Sequence, residues 1–301
     1  MKTTMCRACR SPEVEFGFES HDKDFSKAGF RYLKCRHCGS HSLDPVPTET
    51  ELSALYERGE FTLAQKVDAS HYLNPDRFKR DRELYVSHLA DRFSKAQALD
   101  FGCGSGWLVH HLSDIGFDAT GIDADPASIE MAKSSAFSGS FRVGATLSEI
   151  RSNSLDIFCA MTLLEHVADP DQFISEVTRT LRSGGVLQIS VPLADSLQME
   201  MLGPHFYWAM APFHTTLFTR PGVTSLMARH GLALSVCKPI PNSWYWTRAI
   251  ADKLGRSTDY HRWRNDKSFV DFDIQIDALF DRVAIAMNKP SAALLVFERS
   301  N

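Results

Sequence analysis

The sequence predicts an α/β fold organised around one glycine-rich loop. Ala98–Asp100 is an apolar run that ends in an acid, and three glycines follow at alternate positions. The stretch Leu108–Ile115 has apolar residues at helical spacing and stops at Gly116, so the segment indicates a strand, a tight loop and a helix. Leu155–Ala160 is almost continuously apolar, which is typical of a strand buried on both faces of a parallel sheet.

The spacing of the glycines decides which ligand the loop suits. A dinucleotide fingerprint needs a glycine at position 107 or 109, and neither position is glycine. A phosphate loop needs Lys-Ser or Lys-Thr directly after its glycines, and neither pair follows this loop. Asp100 before Gly102, Gly104 and Gly106 suits a positively charged ammonium group and repels a pyrophosphate. Asp123 ends the next predicted strand, and an acid about 20 residues after such a loop is the usual acceptor for ribose hydroxyls. These residues predict a site for a nucleoside that carries an amino acid, and S-adenosylmethionine is that molecule.

Four motifs, in order, resemble those of the class I S-adenosylmethionine-dependent methyltransferases over roughly residues 97–234. They are LDFGCGSG, GIDADP, LDIFCAMTLLEHVADP at 155–170 and LRSGGVLQISVP at 181–192. The resemblance implies a Rossmann-like, seven-stranded, mostly parallel sheet with helices on both faces, closed by an antiparallel strand over Ala292–Phe297. It also implies methyl transfer from the bound cofactor, with Ala124 and Met161 beside that cofactor.

The adenine contact departs from the family pattern. Relatives often carry an acid just after the third strand, which is predicted here at Ser140–Val143. The matching stretch, Gly144-Ala145-Thr146, has no carboxylate. We therefore expect the Thr146 hydroxyl or backbone groups to replace the carboxylate in contacting the adenine.

Composition limits the class of protein. The 301 residues carry a net charge of −4 and a pI near 6.3, so no global attraction draws the chain to nucleic acid or to an anionic membrane. No apolar run of about 18 residues occurs, and the first ten residues lack the apolar core of a signal peptide, so we expect a cytoplasmic protein with no membrane partner. Seven cysteines in such a chain indicate reduced thiols or metal ligands rather than disulfides.

Two C-x-x-C pairs predict a small zinc ribbon over residues 1–45. Each pair forms a turn that brings two sulfurs to one ion, and short alternating strands lie between the pairs. A redox pair is the alternative, but two copies favour a structural zinc ion. The zinc ion either stabilises a segment that is too small to fold alone, or the ribbon binds RNA or a protein partner. The predicted ligands are Cys6, Cys9, Cys35 and Cys38.

Residues 46–95 are predicted to form a helical linker or lid. Thr48 and Glu51 fit a capping box at the start of the first helix. In the methyltransferases that the chain resembles, this region often covers the cofactor. Tyr56, Phe61 and Tyr72 are the lid candidates, and packing in an aromatic core is the alternative for each.

The methyltransferase-like domain is expected over residues 96–301. Asp169-Pro170 predicts a helix that runs to Leu181 and ends at Gly184-Gly185, followed by a strand over Val186–Val191. An insert at about 193–218 is rich in methionine and aromatic residues and follows this strand's carboxyl end, where acceptors bind in this fold.

A C-terminal extension is expected at about 240–290. Trp244, Tyr245 and Trp246, near its start, are expected to border the same pocket as the insert. Core packing is the alternative for the aromatic residues of both segments.

The candidate catalytic residues are histidines, because a hydroxyl or amine acceptor needs a base for its proton. They are, in order of preference, His214, His166 and His205, and a structural role is the alternative for each. By resemblance, the acceptor is expected to be a small molecule, such as a sugar or nucleotide-sugar. A zinc-ribbon ribosomal RNA base methyltransferase and an inactive cofactor-binding scaffold stay open as alternatives.

Overall fold

The N-terminal segment forms three antiparallel strands in the computed structural model, which describes residues 5–21, 29–57, 74–135, 137–241, 245–256 and 267–300. The strands are β1 (Val14–His21), β2 (Gly29–Cys35) and β3 (His41–Asp44). Val14 at the start of β1 lies opposite Cys35 at the end of β2. The turns that carry the two cysteine pairs therefore lie at the same end of this small sheet.

In the described residues between the small sheet and β4, the helices are α1 (Glu49–Glu57), α2 (Pro75–Tyr85) and α3 (Ser87–Ala90). The predicted capping box begins α1. The Thr48 amide donates to Glu51 Oε2 at 2.8 Å, and the Glu51 amide donates to Thr48 Oγ1 at 3.3 Å. Leu89 of α3 is buried in the core of the large domain. The lid candidates Phe61 and Tyr72 lie outside the described residues.

The large domain contains a seven-stranded sheet in which one strand is antiparallel. Its strands are β4 (Gln97–Phe101), β5 (Asp118–Asp123), β6 (Ser140–Val143), β7 (Leu155–Met161), β8 (Leu181–Pro192), β10 (Leu232–Pro239) and β11 (Ala292–Arg299), with the two-residue β9 (Thr216–Leu217) between them in sequence. The order in space is β10-β11-β8-β7-β4-β5-β6. β11 runs antiparallel to both of its neighbours, whereas the five strands from β8 to β6 are parallel. The predicted Rossmann-like architecture, with a closing antiparallel strand, is confirmed.

Helices cover both faces of this sheet. They are α4 (Trp107–Asp114), α5 (Pro126–Ser134), α6 (Pro170–Thr180), α7 (Leu197–Leu202), α8 (Arg220–Arg229), α9 (Trp246–Lys253) and α10 (Lys267–Ala286). Along β7, Phe158 and Ala160 pack in one apolar cluster with α6 and α8. Ile157 and Cys159 pack in a second cluster with α4 and α5. Because successive side chains point to opposite faces, β7 is buried on both sides, as its apolar run predicts.

The structure corrects one predicted boundary. Helix α6 ends at Thr180, and strand β8 begins at once with Leu181, which pairs with Leu155. The predicted helix end at Leu181 is thus confirmed to within one residue, whereas the strand predicted over Val186–Val191 begins at Leu181 and contains Gly184-Gly185. Gly184 has a φ of 73°, and a side chain at Gly185 would lie 2.9 Å from the Arg182 carbonyl oxygen, so the two glycines bend the strand instead of capping the helix.

The small N-terminal sheet continues into the large domain. Strand β3 pairs with β9, with His41 opposite Leu217 and Ser42 opposite Thr216, so four strands form one sheet in the order β1-β2-β3-β9. Cys6 and Cys35 also share an apolar cluster with Leu226 of α8. Across the described part of the chain, no helix combines the length and apolar character needed to cross a membrane.

Candidate functional site

The glycine-rich loop connects β4 to α4 and is fastened to the neighbouring strand β5. The amides of Gly102 and Cys103 donate to the Ile122 carbonyl oxygen at 2.7 and 3.1 Å. Gly106 has a φ of 83° and immediately precedes α4. A tight turn of this kind needs glycine, since a residue with a Cβ is strained at such an angle.

Asp100 lies at the carboxyl end of β4, almost fully buried. Its Oδ1 atom has no hydrogen-bond partner among the described residues. Burial raises the pKa of Asp100 to about 8, with a smaller contribution from the charge of Asp123. A buried carboxylate oxygen without a donor is expected to receive one from a ligand, and a cation would lower this pKa again.

Asp123 orients the glycine-rich loop. Its Oδ2 accepts a hydrogen bond from the Gly104 amide at 2.8 Å, and its Oδ1 accepts one from the Asp125 amide at 2.9 Å. Burial raises its pKa, partly offset by these two bonds. Asp125 in turn caps α5 by accepting from the amides of Ala127 and Ser128. The sequence predicted a ligand contact for Asp123, and its bond to the loop is an additional role.

The arrangement fits S-adenosylmethionine. A Cβ built at Gly104 meets no described atom within 4 Å, so the loop leaves space on that side for a ligand. The acid pair suits the ammonium group and the ribose hydroxyls of that ligand. Ala124 is exposed at the end of β5, and Met161 is half-buried at the end of β7.

Thr146 is exposed and already makes a local turn. Its Oγ1 accepts from the Ser148 amide at 3.2 Å and lies 3.0 Å from the Ser148 hydroxyl. The hydroxyl keeps further capacity for a hydrogen bond, because it has two acceptor lone pairs. An adenine contact by Thr146 stays a prediction.

An acid–histidine cluster, defined here as Glu165, His166 and His214, lies next to the loop. One side-chain atom of each residue lies within 4.8 Å of the other two. Leu163, two residues earlier in the same turn, would lie 3.1 Å from a Cβ at Gly102. The cluster and the cofactor loop are thus neighbours at the edge where β4 and β7 end.

Burial controls the protonation of this cluster. It raises the pKa of Glu165 to about 8, and both carboxylate oxygens lack hydrogen-bond partners within the described ranges. It lowers the pKa of His214 to about 4 and that of His166 well below its usual value. Both imidazoles are therefore neutral at pH 7, and a neutral imidazole can accept a proton or bind a cation.

The two histidines differ in access. His214 is 1% exposed, and its Nδ1–H donates to the Trp208 carbonyl oxygen at 2.7 Å, so its Nε2 carries no proton. His166 is half-buried, and its ring lies edge-on to His214 with centroids 4.5 Å apart. His166 Nδ1 lies 2.8 Å from the Tyr56 hydroxyl of α1. Tyr56, a predicted lid candidate, thus covers the cluster.

His205 lies apart from the cluster. Its Nδ1 is 2.5 Å from Asp252 Oδ2 of α9, which is a pair between the insert and the C-terminal extension. This contact indicates a structural role for His205. The structure thus brings two of the three predicted histidines together and leaves the third elsewhere.

Aromatic rings from the insert and the extension form a wall beside the cluster. Tyr207 and Tyr245 stack with centroids 3.9 Å apart, and Trp208 meets Tyr245 edge-on at 4.9 Å. The Trp208 ring lies parallel to His214 at 6.0 Å, and its Nε1 has no partner among the residues that the structure describes. Trp244 lies outside the described residues. Trp246 is fully buried and donates to Asp281 at 3.0 Å, so it belongs to the core.

The four predicted metal ligands converge at the end of the N-terminal sheet. The sulfurs of Cys6 and Cys38 are 3.6 Å apart, as are those of Cys9 and Cys35, and all four lie within 4.8 Å of one another. None of the four forms a disulfide. In a tetrahedral site with Zn–S distances of about 2.3 Å, sulfurs lie about 3.8 Å apart. The residues therefore fit one zinc ion.

Two features of the site escaped the sequence analysis. Tyr32 of β2 donates a buried hydrogen bond to the His214 carbonyl oxygen at 2.7 Å, although 182 residues separate them. Glu165 precedes His166 in the sequence, and nothing local indicates that its carboxyl group is buried with no hydrogen-bond partner among the described residues. The Tyr32 hydroxyl reaches the His214 carbonyl oxygen because β3 pairs with β9, which is distant in sequence.

Comparisons with known proteins agree with this geometry. The family described as "Methyltransferase domain" matches residues 76–235. A ubiquinone biosynthesis O-methyltransferase of Rickettsia canadensis is 34% identical over 124 residues, which is 40% of this chain and 52% of the relative. The chain thus spans about half the length of that relative. A protein of Mycolicibacterium smegmatis named as a probable S-adenosylmethionine-dependent methyltransferase is 26% identical over 269 residues, covering 78% of this chain and 96% of the relative.

One solved structure supports the fold. A candidate sarcosine dimethylglycine methyltransferase from Galdieria sulphuraria superposes with a TM-score of 0.53 at 17% identity, over 82% of this chain and 97% of that one. At this identity the likeness concerns the fold alone.

Gly104 and Gly106 form a matched pair for testing the loop. Gly104→Ala is expected to cost about 1 kcal/mol for its left-handed φ, yet lower the affinity for S-adenosylhomocysteine at least tenfold by filling the open side. Gly106→Ala should destabilise the fold by about 2–4 kcal/mol, because its Cβ would lie 2.5 Å from Phe141 at a strained φ. Thermal unfolding and calorimetric titration measure both quantities. Normal affinity in Gly104→Ala would contradict the assignment of that face to the ligand.

Proposed function

This chain belongs to the methyltransferase-domain family, and we propose that it transfers a methyl group from S-adenosylmethionine to a hydroxyl group of a small molecule. The observation that carries the proposal is the neutral acid–histidine cluster beside the glycine-rich loop. A hydroxyl acceptor must lose a proton during transfer, and a neutral imidazole at that position is suited to take it.

Residues at the ends of β4, β5 and β7 are proposed to hold the cofactor. Asp100 receives the ammonium group, Asp123 the ribose hydroxyls, and Gly102, Gly104 and Gly106 let the backbone approach closely. Ala124, Thr146 and Met161 complete the site on the side of the nucleoside. When bound, S-adenosylmethionine supplies a methyl group made electrophilic by its sulfonium.

His166 is the proposed base, with His214 behind it. His166 is half-buried, whereas His214 is shielded from solvent, so only His166 can meet an acceptor without rearrangement. The Tyr56 hydroxyl and the Phe213 backbone both bond to the His166 ring, and the edge of His214 fixes the plane of that ring. Held in this way, His166 can take up a proton at Nδ1 through the Tyr56 hydroxyl, which in turn accepts the proton of the acceptor hydroxyl group.

A sugar or nucleotide-sugar is the proposed acceptor. Tyr207, Trp208 and Tyr245 provide apolar ring faces. The Trp208 Nε1–H, which has no partner among the described residues, is a donor for a hydroxyl oxygen. The Arg248 guanidinium carbon lies 5.3 Å from the Tyr207 ring centre and brings positive charge to the same wall, which suits a diphosphate. We therefore assign acceptor binding to the insert at 193–218 and to the start of the extension at 240–290.

A phenolic hydroxyl is the second candidate acceptor. The relative from Rickettsia canadensis is named for ubiquinone biosynthesis and O-methylation. A flat aromatic acceptor would stack on the same wall of rings. Its acidic hydroxyl would also depend less on the base, which distinguishes the two acceptor classes in the experiment below.

The four-cysteine cluster is proposed to hold one structural zinc ion. The sulfur contact between Cys6 and Cys38 lowers the pKa of Cys38 while raising that of Cys6, so the cluster already favours a thiolate. A bound cation would ionise the remaining thiols, because metal binding requires deprotonated cysteine. Four protein ligands leave no open position, which is typical of a structural site.

The acceptor is identified by a screen of nucleotide-sugars, free sugars and catechols with S-adenosylmethionine, measuring S-adenosylhomocysteine release. We expect turnover with a nucleotide-sugar, and a fall in kcat of about 10²–10⁴-fold in His166→Gln, the usual contribution of a general base. His230→Gln serves as the matched control and should keep full activity, because His230 lies outside the cluster, the insert and the extension and contacts Asp171. Turnover confined to catechols would favour the second candidate, and retained cofactor binding without any turnover would contradict methyl transfer to small molecules.

Binding of S-adenosylhomocysteine should tighten as pH rises from 6 to 7.5. The Asp100 pKa of about 8 means that the acid is protonated in the free protein over this range, and binding an ammonium group must expel that proton. The affinity is therefore weakest at low pH and improves towards pH 8. Calorimetry in buffers of different ionisation enthalpy measures the released proton directly. Asp100→Asn should remove the pH dependence, and a flat profile in the unsubstituted protein would contradict the role of Asp100.

Metal analysis tests the four-cysteine site. Protein produced with added zinc should contain one zinc ion per chain, and Cys9→Ser should lose most of it because one of four ligands is removed. Cys237→Ser is the matched control, since Cys237 is exposed and remote from the cluster. A zinc content that is the same in Cys9→Ser and Cys237→Ser would overturn the assignment.

A further inference from the structure

The segment His214–Thr219 is held between the cysteine ribbon and the acid–histidine cluster. It contains the buried His214, the two-residue strand β9 and the residue that caps α8. Hydrogen bonds leave it on two sides. One set of hydrogen bonds joins the segment to the ribbon, and the other set joins it to the turn around Glu165.

On the ribbon side, hydrogen bonds reach nearly every residue of the segment. The Tyr32 hydroxyl donates to the His214 carbonyl oxygen at 2.7 Å, and the Leu43 amide donates to the Thr215 carbonyl oxygen at 2.9 Å. The Thr219 hydroxyl donates to the carbonyl oxygen of Cys38 at 2.6 Å. A backbone atom of a proposed zinc ligand is thus bonded directly to this segment.

A serine between the cysteine turn and β3 adds a second bond to the same place. The Thr219 amide donates to Ser40 Oγ at 3.0 Å, and Ser40 is 1% exposed. Tyr32 is fully buried, and burial raises its pKa, so its hydroxyl remains a donor at any physiological pH. Buried hydrogen bonds of this kind fix position, because breaking one leaves a polar group without water.

On the cluster side, Thr215 joins the segment to the turn that carries the acid and His166. Its amide donates to the Glu165 carbonyl oxygen at 2.8 Å. Its hydroxyl donates to the carbonyl oxygen of Val167 at 2.9 Å and lies 3.2 Å from that of Glu165. The backbone on either side of His166 is therefore tied to the residue next to His214.

We propose that the ribbon is a positioning element of the acceptor site, in which Tyr32 and the Cys38–Ser40 turn set the place of His214 against Glu165 and His166. The proposal rests on the proposed function, because it gives the ribbon a role in the same site. Tyr32 lies three residues before Cys35 on β2, so closing the cysteine site on a metal orders both anchors at once. Tyr32 touches no reacting atom and acts through His214.

The cofactor loop is anchored separately. Its hydrogen bonds go to β5, through the Ile122 carbonyl oxygen and the Asp123 carboxylate. Loss of a ribbon contact should therefore disturb the cluster while cofactor binding is preserved. This separation distinguishes a positioning role from general destabilisation, which would weaken both.

The experiment uses the zinc-loaded 301-residue chain with S-adenosylhomocysteine bound and its histidine rings labelled with ¹⁵N. His214→Gln assigns the His214 ring signals. We expect Tyr32→Phe and Ser40→Ala to shift or broaden these signals and change the Nδ1–H tautomer that the Trp208 carbonyl oxygen selects. Ser11→Ala is the control, because its hydroxyl only accepts from the Glu13 amide within the ribbon. Affinity for S-adenosylhomocysteine should stay within about twofold in all three variants.

Turnover gives a second readout with the acceptor found in the screen. Tyr32→Phe should lower kcat about three- to tenfold, the equivalent of one hydrogen bond, with little change in KM for S-adenosylmethionine. Removing zinc with a chelator should change the His214 signals at least as much as Tyr32→Phe does.

Two results would overturn the proposal. The first is a His214 spectrum that is the same in Tyr32→Phe, Ser40→Ala and metal-free protein as in the zinc-loaded protein. The second is an equal loss of cofactor affinity and turnover, which indicates general destabilisation. The ring signals need no acceptor, so failure to find one would count against the proposed function and leave this test intact.

Discussion

The parallel direction of β4, β5 and β7 is the constraint on which the rest of the site depends. Parallel strands bring their carboxyl ends to one edge of the sheet, so Asp100, Asp123 and the turn after Met161 meet there although the chain separates them. The same arrangement needs helical crossovers, which bury both faces of the sheet. Burial then withdraws water from the acids and histidines at this edge.

Withdrawal of water explains the charge states at the site. Asp100 and Glu165 both have a pKa raised to about 8, and burial is the main cause for each. A buried acid without a partner is costly, and a folded protein tolerates that cost where a ligand supplies the missing partner. The histidines respond in the opposite direction, because burial disfavours their charged form. Burial thus has two effects at this site. It raises the pKa of Asp100, which suits this acid to a cationic ligand, and it keeps the two imidazoles neutral, so that they can accept a proton.

Local sequence predicted what depends on short-range geometry. The spacing within each motif fixes the chemistry of its residues. This holds for the acid and three glycines of the loop, for the acid that ends β5 and for the four cysteines. The fold was predicted from β7, which is apolar on both faces. The end of α6 was predicted to within one residue, but the start of β8 was missed because a Gly-Gly pair usually marks a loop. Here Leu181 pairs with Leu155, and that tertiary contact overrides the local signal. Tyr32 was missed because its partner is distant in sequence and its role depends on how the N-terminal sheet docks.

The docking of that sheet explains how so short a strand as β9 can hold the buried His214 in place. Two residues in a strand offer few backbone bonds, while ordering each residue costs about 1–2 kcal/mol of conformational entropy. The bonds from Tyr32, Leu43 and Thr219 compensate for this cost on the ribbon side. A small sheet of this size is itself marginal without a cross-link. The four converging cysteines supply a place for that cross-link, so the order of His214 is expected to depend on a site that contacts neither cofactor nor acceptor.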